Sequence, residues 1–436
     1  MSKTKSVLFY FLFFIIFFSF SCLVTPFSCD EIWNFGFSYN ISNGLIPYRD
    51  FNLLQTPFYF FINSFLLILF GKNICVMYMF NAVIATISLY FVKKINSKSF
   101  YFIASILLLF SLVAFFPNYN LFCMYLFIIL FYLQKYKHNS FLVGLITGII
   151  FITKQNIGLC LFIPIFLSIF TSFKEFLKGF FGFLVPIIIL ILYLVFNNSL
   201  FDFVNYSFLG LFDFSSHNSK FGLVFLIEIF VLLYLIYMLL NDKSNFRDYL
   251  YLICFQVICY PIFDLNHCLL AFIPVLIYLT RNKELNHFSK YVLLFALLFF
   301  ILFMIKNYNK SDTKYFKYRN HPSTLYQVNS ISKFVSDYSY KYDIHIISYN
   351  SYFYKLESGL PIDEFDLLLY GNLGYGSYDK YLSIINSSDR DILFIMSDTE
   401  YLNNQLHNEI CEYIIKNSIV IDELIGYKVY KFEVNK

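Results

Sequence analysis

The feature that most constrains this chain is a succession of long apolar runs, many of them near the 20 residues a helix needs to cross a bilayer. They begin near Ser6, Cys75, Ser99, Leu121, Phe141, Gly158, Gly179, Phe221, Tyr249, Cys268 and Tyr291. Lipid offers the backbone no hydrogen bonds, so runs of this kind can only be helices that satisfy themselves. The stretch 57–70 is also apolar, but it is about 14 residues long and starts at proline. It reads as a helix lying in the interface, which leaves eleven spans.

Charge separates two parts. Residues 1–306 carry 19 basic and 11 acidic side chains, and residues 307–436 carry 13 and 17. The first density is that of a membrane part and the second that of a soluble domain. The chain as a whole is only 14% charged, against roughly 25% in soluble domains, which excludes an ordinary soluble enzyme. The net charge of +4 is mostly membrane-topology charge and does not point to nucleic acid.

Lysines and arginines set the orientation, because cytoplasmic loops concentrate them. With the N-terminus inside, Lys3, Lys5, Lys93, Lys94, Lys98, Lys135, Lys137, Lys174, Lys178, Lys243, Arg247, Arg281, Lys283 and Lys290 are cytoplasmic. Only Arg49, Lys72, Lys154, Lys220 and Lys306 remain outside, and the tail is extracytoplasmic. Counting 57–70 as a span would invert every later loop. Lys3 and Lys5 before the first apolar run read as the flank of an uncleaved anchor rather than of a signal peptide. The phenylalanine-, isoleucine- and asparagine-rich usage is that of an AT-rich bacterial genome, which makes the plasma membrane the expected location.

This topology gathers polar residues on the outer face. The first outer loop, 25–73, holds Asp30, Glu31, Tyr48, Arg49, Asp50 and Gln55. Asn118, Tyr119 and Asn120 follow Pro117, Lys154, Gln155 and Asn156 lie at the mouth of the fifth and sixth spans, and 264–267 joins the ninth and tenth. A carboxylate beside a water-poor pocket can serve as a general base. A cation can hold a departing phosphate. Outside the cell a sugar donor must arrive on a lipid carrier, so Asp30 as base with Arg49 or Lys154 on the phosphate would perform one glycosyl transfer.

The remaining motifs are bland. The nine cysteines and seven histidines show neither paired nor metal-ligand spacing, so no metal ligands are assigned. Glu228 falls within the eighth span, where a carboxylate is costly and a functional candidate by default, and it reads as a hydrogen-bonded structural group. In the tail, 343–349, 391–396, 419–421 and 427–432 read as strands and 400–416 as a helix with Leu402, Leu406, Ile410 and Ile414 on one face. Gly371, Gly374 and Gly376 match no phosphate-binding fingerprint and read as a turn.

The acidic pair after the first span, the stretch GLIPYRDFNLLQTPFYFFINSFLLILFG and the sequence TKQNIGL together resemble the GT-C class of integral membrane glycosyltransferases. The similarity is to the branch of protein O-mannosyltransferase-like and lipid A aminoarabinose transferase-like enzymes. It concentrates in residues 26–71 and 151–158. It implies a polytopic α-helical membrane protein with about 11 transmembrane helices, juxtamembrane helices in the first outer loop and an extracytoplasmic α/β domain. It implies a hexosyltransferase-type activity with a polyprenyl-phosphate sugar as donor and a lipid, polysaccharide or protein as acceptor.

Carried over, Asp30 matches the catalytic acidic position and Glu31 its neighbour, which makes the two the expected catalytic pair, and Lys154 matches a lysine near the donor phosphate. Tyr48, Arg49, Asp50, Gln55, Asn120, Gln155 and His267 complete the expected substrate-binding set. The chain departs from the pattern in lacking a tyrosine after the acidic pair and in having Asn120 where several relatives carry a carboxylate, which leaves a divalent cation open. A lipid-linked glycan transporter and a non-catalytic envelope-polysaccharide assembly protein remain as alternatives.

Overall fold

The structure is a computed structural model. It describes residues 3–23, 29–111, 117–218, 222–283, parts of 285–302, 311–312, 317–318, 322–360, 368, 372–403 and 406–434. The membrane part is built from α1 (Lys3–Leu23), α2 (Cys29–Ser42), α3 (Phe58–Phe70), α4 (Ile74–Ile95), α5 (Phe100–Ser111), α6 (Tyr119–Tyr132) and α7 (Ser140–Phe151). It continues with α8 (Gln155–Leu167), α9 (Phe173–Phe196), α10 (Leu200–Val204), α11 (Gly210–Asn218), α12 (Leu223–Asn241), α13 (Phe246–Phe255) and α14 (Leu265–Leu279). A helix begins within a few residues of every predicted span start from Ser6 to Cys268. The span expected from Tyr291, and the boundary at 306/307, lie largely outside the described residues.

The few polar residues of the apolar region mark where helices start. Asn73, Asn118, Asn139 and Asp264 each accept a hydrogen bond from a backbone N–H of the first turn they precede. Such caps satisfy donors that the helix itself leaves unpaired. By length and composition α4, α9 and α12 are long enough to cross a membrane, while α1, α7, α8 and α14 contribute shorter apolar segments. The ninth predicted span is short: α13, of 10 residues, gives way at Gln256–Cys259 to a 3₁₀ turn.

Helix α3 keeps to the 13 residues Phe58–Phe70 and packs on α2 and α4. Phe65, Ile68, Leu69 and Phe70 are more than half exposed, as an apolar helix against lipid would be. Among the described residues α7 and α9 approach each other closely. A Cβ on Gly144 would lie 2.0 Å from Gly179 O, and one on Gly182 would lie 2.2 Å from Phe141 O. Small residues allow this approach, and in lipid such packing replaces the hydrophobic drive between helices.

Hydrogen bonds sort the loops onto two rims. On one, Asn96 donates to Ile277 O and Thr280, Ser99 to Lys283 O, Ser140 to Glu175 and Arg247 to Thr171. Lys135 pairs there with Asp248, and the Arg281 guanidinium stacks 3.6 Å above the Tyr278 ring. The opposite rim joins the 30–56 segment to 117–120, 153–156, 205–209 and 258–267 by bonds described below. Lys135, Arg247, Arg281 and Lys283, all assigned to the cytoplasm, thus fall together on the rim away from Asp30.

After the short pair β1 (Ser311–Asp312) and β2 (Lys317–Tyr318), the tail folds as α15 (Pro322–Tyr338), β3 (Asp343–Ile347), α16 (Ser351–Ser358), α17 (Ser377–Ser387), β4 (Ile392–Ser397), α18 (Asp398–Leu402), α19 (Asn408–Asn417), β5 (Ile419–Leu424) and β6 (Tyr427–Phe432). The sheet order is β3-β4-β6-β5, with β3 and β4 parallel and the other pairs antiparallel. Alternate residues of β4 face opposite ways. Ile392, Phe394 and Met396 pack with Tyr381 and Ile410, whereas Leu393 and Ile395 join a core that includes Phe35, Phe37 and Phe60 of the first loop. The tail core is therefore continuous with that of α2 and α3.

One tail expectation needs correction. The helix read over 400–416 is two helices, α18 and α19, so Leu402 is 76% exposed while Leu406, Ile410 and Ile414 are buried. The interruption falls at Asn403, a poor helix former, and His407 serves as the start of α19. The glycine turn is a docking turn: Gly374 has φ 77° and packs on Asn205 and Tyr206, and Tyr375 N donates to Asn205 Oδ1. Gly371 lies outside the described residues.

Candidate active site

Four elements converge on the rim that faces the tail. Asp264 caps α14 by accepting from His267 N at 2.8 Å, and the same Oδ1 lies 2.8 Å from His267 Nδ1. His267 Nε2 is 3.2 Å from Asn120 Nδ2, and Lys154 Nζ donates to Asn120 Oδ1 at 2.8 Å. One assignment of protons satisfies every contact. Lys154 donates to Asn120, Asn120 donates to Nε2, and Nδ1–H donates to the Asp264 carboxylate. His267 is then neutral, with both ring nitrogens engaged. Lys154 also reaches Ile258 O at 3.3 Å and lies 5.9 Å from the Tyr119 ring centroid.

Asp30 stands in the first turn of α2, half-buried, near enough to His267, Asp264, Lys154 and Tyr119 for their charges to interact. Burial raises its carboxyl above the ordinary value, Asp264 adds to the rise, and Lys154 pulls against it. Burial also pulls the Lys154 ammonium down to about 8. Burial works against the Asp264 charge as well, but hydrogen bonds from His267 offset this and hold that carboxyl below its usual range. The result is a carboxylate of raised basicity opposite a cation that gives up its proton more readily than a free lysine.

The other predicted residues frame this centre. Gln55 Nε2 donates to Tyr119 Oη at 3.1 Å. Gln155 is buried and donates to Leu54 O and Ser207 O. Thr56 Oγ1 bonds Phe151 O and Phe58 N bonds Ile152 O, so the loop is fastened to the end of α7 that leads into Lys154. Tyr48, buried at φ 71°, donates its hydroxyl to Gln55 O. Arg49 pairs with Asp50 through two bonds, and Asp50 also accepts from Ile46 N. Arg49 holds the Asp50 carboxyl below its usual range. Glu31 turns away from Asp30 into a buried position beside Tyr59 and Tyr78.

The tail closes over this rim. Trp33 Nε1 donates to Tyr349 O and its ring stacks on that of Tyr349, while Asn52 Nδ2 donates to Asn372 O at 2.6 Å. Sequence reasoning placed Asp264 and Tyr119 on the outer face without assigning them to the site. The signal for Asp264 is its position three residues before His267 at a helix start, the spacing of a side-chain cap.

No family model matches the chain, and no curated protein matches it in sequence. In structure it is similar to ArnT from Cupriavidus metallidurans, in the apo state with TM-score 0.61 and bound to undecaprenyl phosphate with TM-score 0.56. Identity is 12% in both, over 99% of this chain and 98% of the ArnT chain. The chain has the GT-C fold of that lipid A aminoarabinose transferase.

Proposed function

We propose that this protein is a membrane glycosyltransferase that moves a sugar from a polyprenyl-phosphate donor to an acceptor hydroxyl on the extracytoplasmic face of the plasma membrane. The observation that carries this reading is Asp30 facing the Lys154–Asn120–His267–Asp264 chain at one rim of a GT-C fold. The bound lipid of one ArnT structure, undecaprenyl phosphate, supports the donor class. The gathering of basic loops on the opposite rim supports the orientation, with residues 1–306 in the membrane and 307–436 outside.

In this reading Asp30 takes the proton of the acceptor hydroxyl. The acceptor oxygen forms a bond to the anomeric carbon of the sugar. The bond from that carbon to the phosphate oxygen breaks, and the electron pair leaves with the polyprenyl phosphate. Lys154, oriented by Asn120, neutralises the departing phosphate. Gln55 and Tyr119 line the approach, and Arg49, exposed and paired with Asp50 at the outer loop edge, is placed to meet donor or acceptor. Both ring nitrogens of His267 are taken up by Asp264 and Asn120, so this imidazole offers no lone pair to a cation.

The test is transfer of label from a panel of radiolabelled polyprenyl-phosphate sugars in membranes carrying wild type or Asp30→Asn. Transfer by wild type that drops by about a hundredfold or more in the variant, as expected for loss of a general base, supports the reading. Equal transfer by both, above an empty-vector control, removes Asp30 as base. Absence of transfer from every donor by folded protein removes the glycosyltransferase reading in favour of transport or assembly.

A further inference from the structure

Beneath the rim, three side chains from three elements come together inside the bundle. Glu228 of α12, Cys259 at the end of the Gln256–Cys259 turn and Cys268 in the first turn of α14 place their ligand atoms within 4.8 Å of one another. All three are at least nine-tenths buried. Glu228 Oε1 has no hydrogen-bond partner among the described residues. A carboxylate oxygen unmatched inside a membrane bundle is expensive. Gln256 lines the same roughly 400 Å³ cavity as Glu228, and its Oε1 is likewise buried and unmatched. Gln256 and Cys259 are three apart on a 3₁₀ turn, where such positions eclipse each other.

We propose that Glu228, Cys259 and Cys268 form a binding site for a thiophilic divalent cation of the zinc type. Two sulfurs and a carboxylate oxygen are a ligand set zinc accepts, with a fourth position left for Gln256 Oε1 or water. Ligand atoms around a tetrahedral zinc stand about 3.5 Å apart given bond lengths of about 2.0–2.3 Å, so closing from the observed spacing takes small side-chain motions. Binding deprotonates both thiols and releases the protons to solvent. The assembled site carries one net negative charge, and Lys154 lies within Coulombic reach of Cys259. Sequence spacing conceals such a site because the ligands lie 31 and 9 residues apart.

The position of this site gives it a consequence for the rim. Cys259 directly follows Ile258, whose carbonyl accepts from Lys154, and Cys268 directly follows His267, which bonds Asn120. A metal held by both sulfurs would tie together the two segments that orient Lys154 and Asn120. This consequence rests on the function proposed above, whereas metal binding itself does not.

Full-length protein purified in detergent, incubated with zinc and dialysed, should hold one metal per chain by elemental mass spectrometry. Cys259→Ser/Cys268→Ser should lower zinc affinity by at least about a hundredfold, and cadmium should give a thiolate charge-transfer band in wild type alone. Should the double variant misfold, zinc must slow alkylation of Cys259 and Cys268 in wild type while leaving Cys160 and Cys254, which line the cavity that Glu228 and Gln256 share, unprotected. Zinc-free wild type, unchanged stoichiometry in the folded variant, unselective protection or a Cys259–Cys268 disulfide would each overturn the site. Normal zinc binding with no transfer activity would instead count against the proposed function alone.

Discussion

Lys154 Nζ donates to Asn120 Oδ1 across 2.8 Å, joining the turn after α7 to the first turn of α6. The bond does more than hold a lysine. It fixes the orientation of the Asn120 amide, which in turn presents N–H to His267 Nε2 and so fixes the tautomer that bonds Asp264. A lysine aimed by a neutral partner keeps its full charge for a phosphate, whereas a carboxylate at the same place would neutralise it. Asparagine at position 120 thus suits a site in which Lys154 is reserved for an anion.

Asn120→Leu should leave Lys154 and His267 without their shared partner. Losing a hydrogen bond to a charged group costs about 1.5–3 kcal/mol, which corresponds to a fall of roughly tenfold to a hundredfold in kcat/KM for the lipid-linked donor. Asn120→Asp should also weaken donor binding, but through competition for the Lys154 charge. Steady-state transfer measured with both variants checks this, and wild-type kinetics in Asn120→Leu would show that the chain does not position Lys154.

The pH dependence follows from the two opposed groups. Asp30 works ionised, and its raised value moves the rising limb of kcat/KM above the pH at which an ordinary carboxylate titrates. Lys154 works protonated, so activity falls as pH rises through about 8. Lys154→Arg, which stays charged, should lose the falling limb while retaining part of the activity. A falling limb that stays in place in that variant would assign it to another group.

Much of this was legible in the sequence because lipid leaves so few options. Starts of apolar runs predict helix starts, and the short, proline-led stretch 57–70 predicts a short helix of its own, found as α3 over Phe58–Phe70. Strand β3 follows from its β-branched residues, β4 from a short apolar run, and β6 from the closing strand read over 427–432. What periodicity could not supply is convergence. Nothing in sequence spacing says that Asp264, 110 residues after Lys154, belongs to the same hydrogen-bonded chain, or that Glu31 turns away from its neighbour Asp30. The break after Leu402 was also hidden, because Leu406, Ile410 and Ile414 keep the helical spacing on the far side of it.

The contact between the tail and the first loop should be testable through Asn52. Its side chain is buried and donates to Asn372 O, also in a buried residue. Asn52→Ala leaves that carbonyl unmatched, at a cost of about 1–3 kcal/mol. Limited proteolysis should then cleave the tail several-fold faster, with a lowered Tm in detergent. Unchanged cleavage would show that the Trp33–Tyr349 stack and the shared apolar core hold the tail without this bond.

Helix packing far from the rim should also reach the site. The Cβ of Gly144→Ala would fall 2.0 Å from Gly179 O, so α7 and α9 must move apart. Overpacking of this kind costs about 1–3 kcal/mol. Because α7 runs on through Ile152 and Thr153 into Lys154, and its end is bonded to Thr56 and Phe58, the shift should loosen Lys154 as well. The expected outcome is a lower Tm together with weaker donor binding, whereas Leu142→Ala, at an exposed position on the same helix, should change neither. Intact donor binding in a destabilised Gly144→Ala protein would show that the 152–156 turn is held by the first loop rather than by the α7–α9 contact.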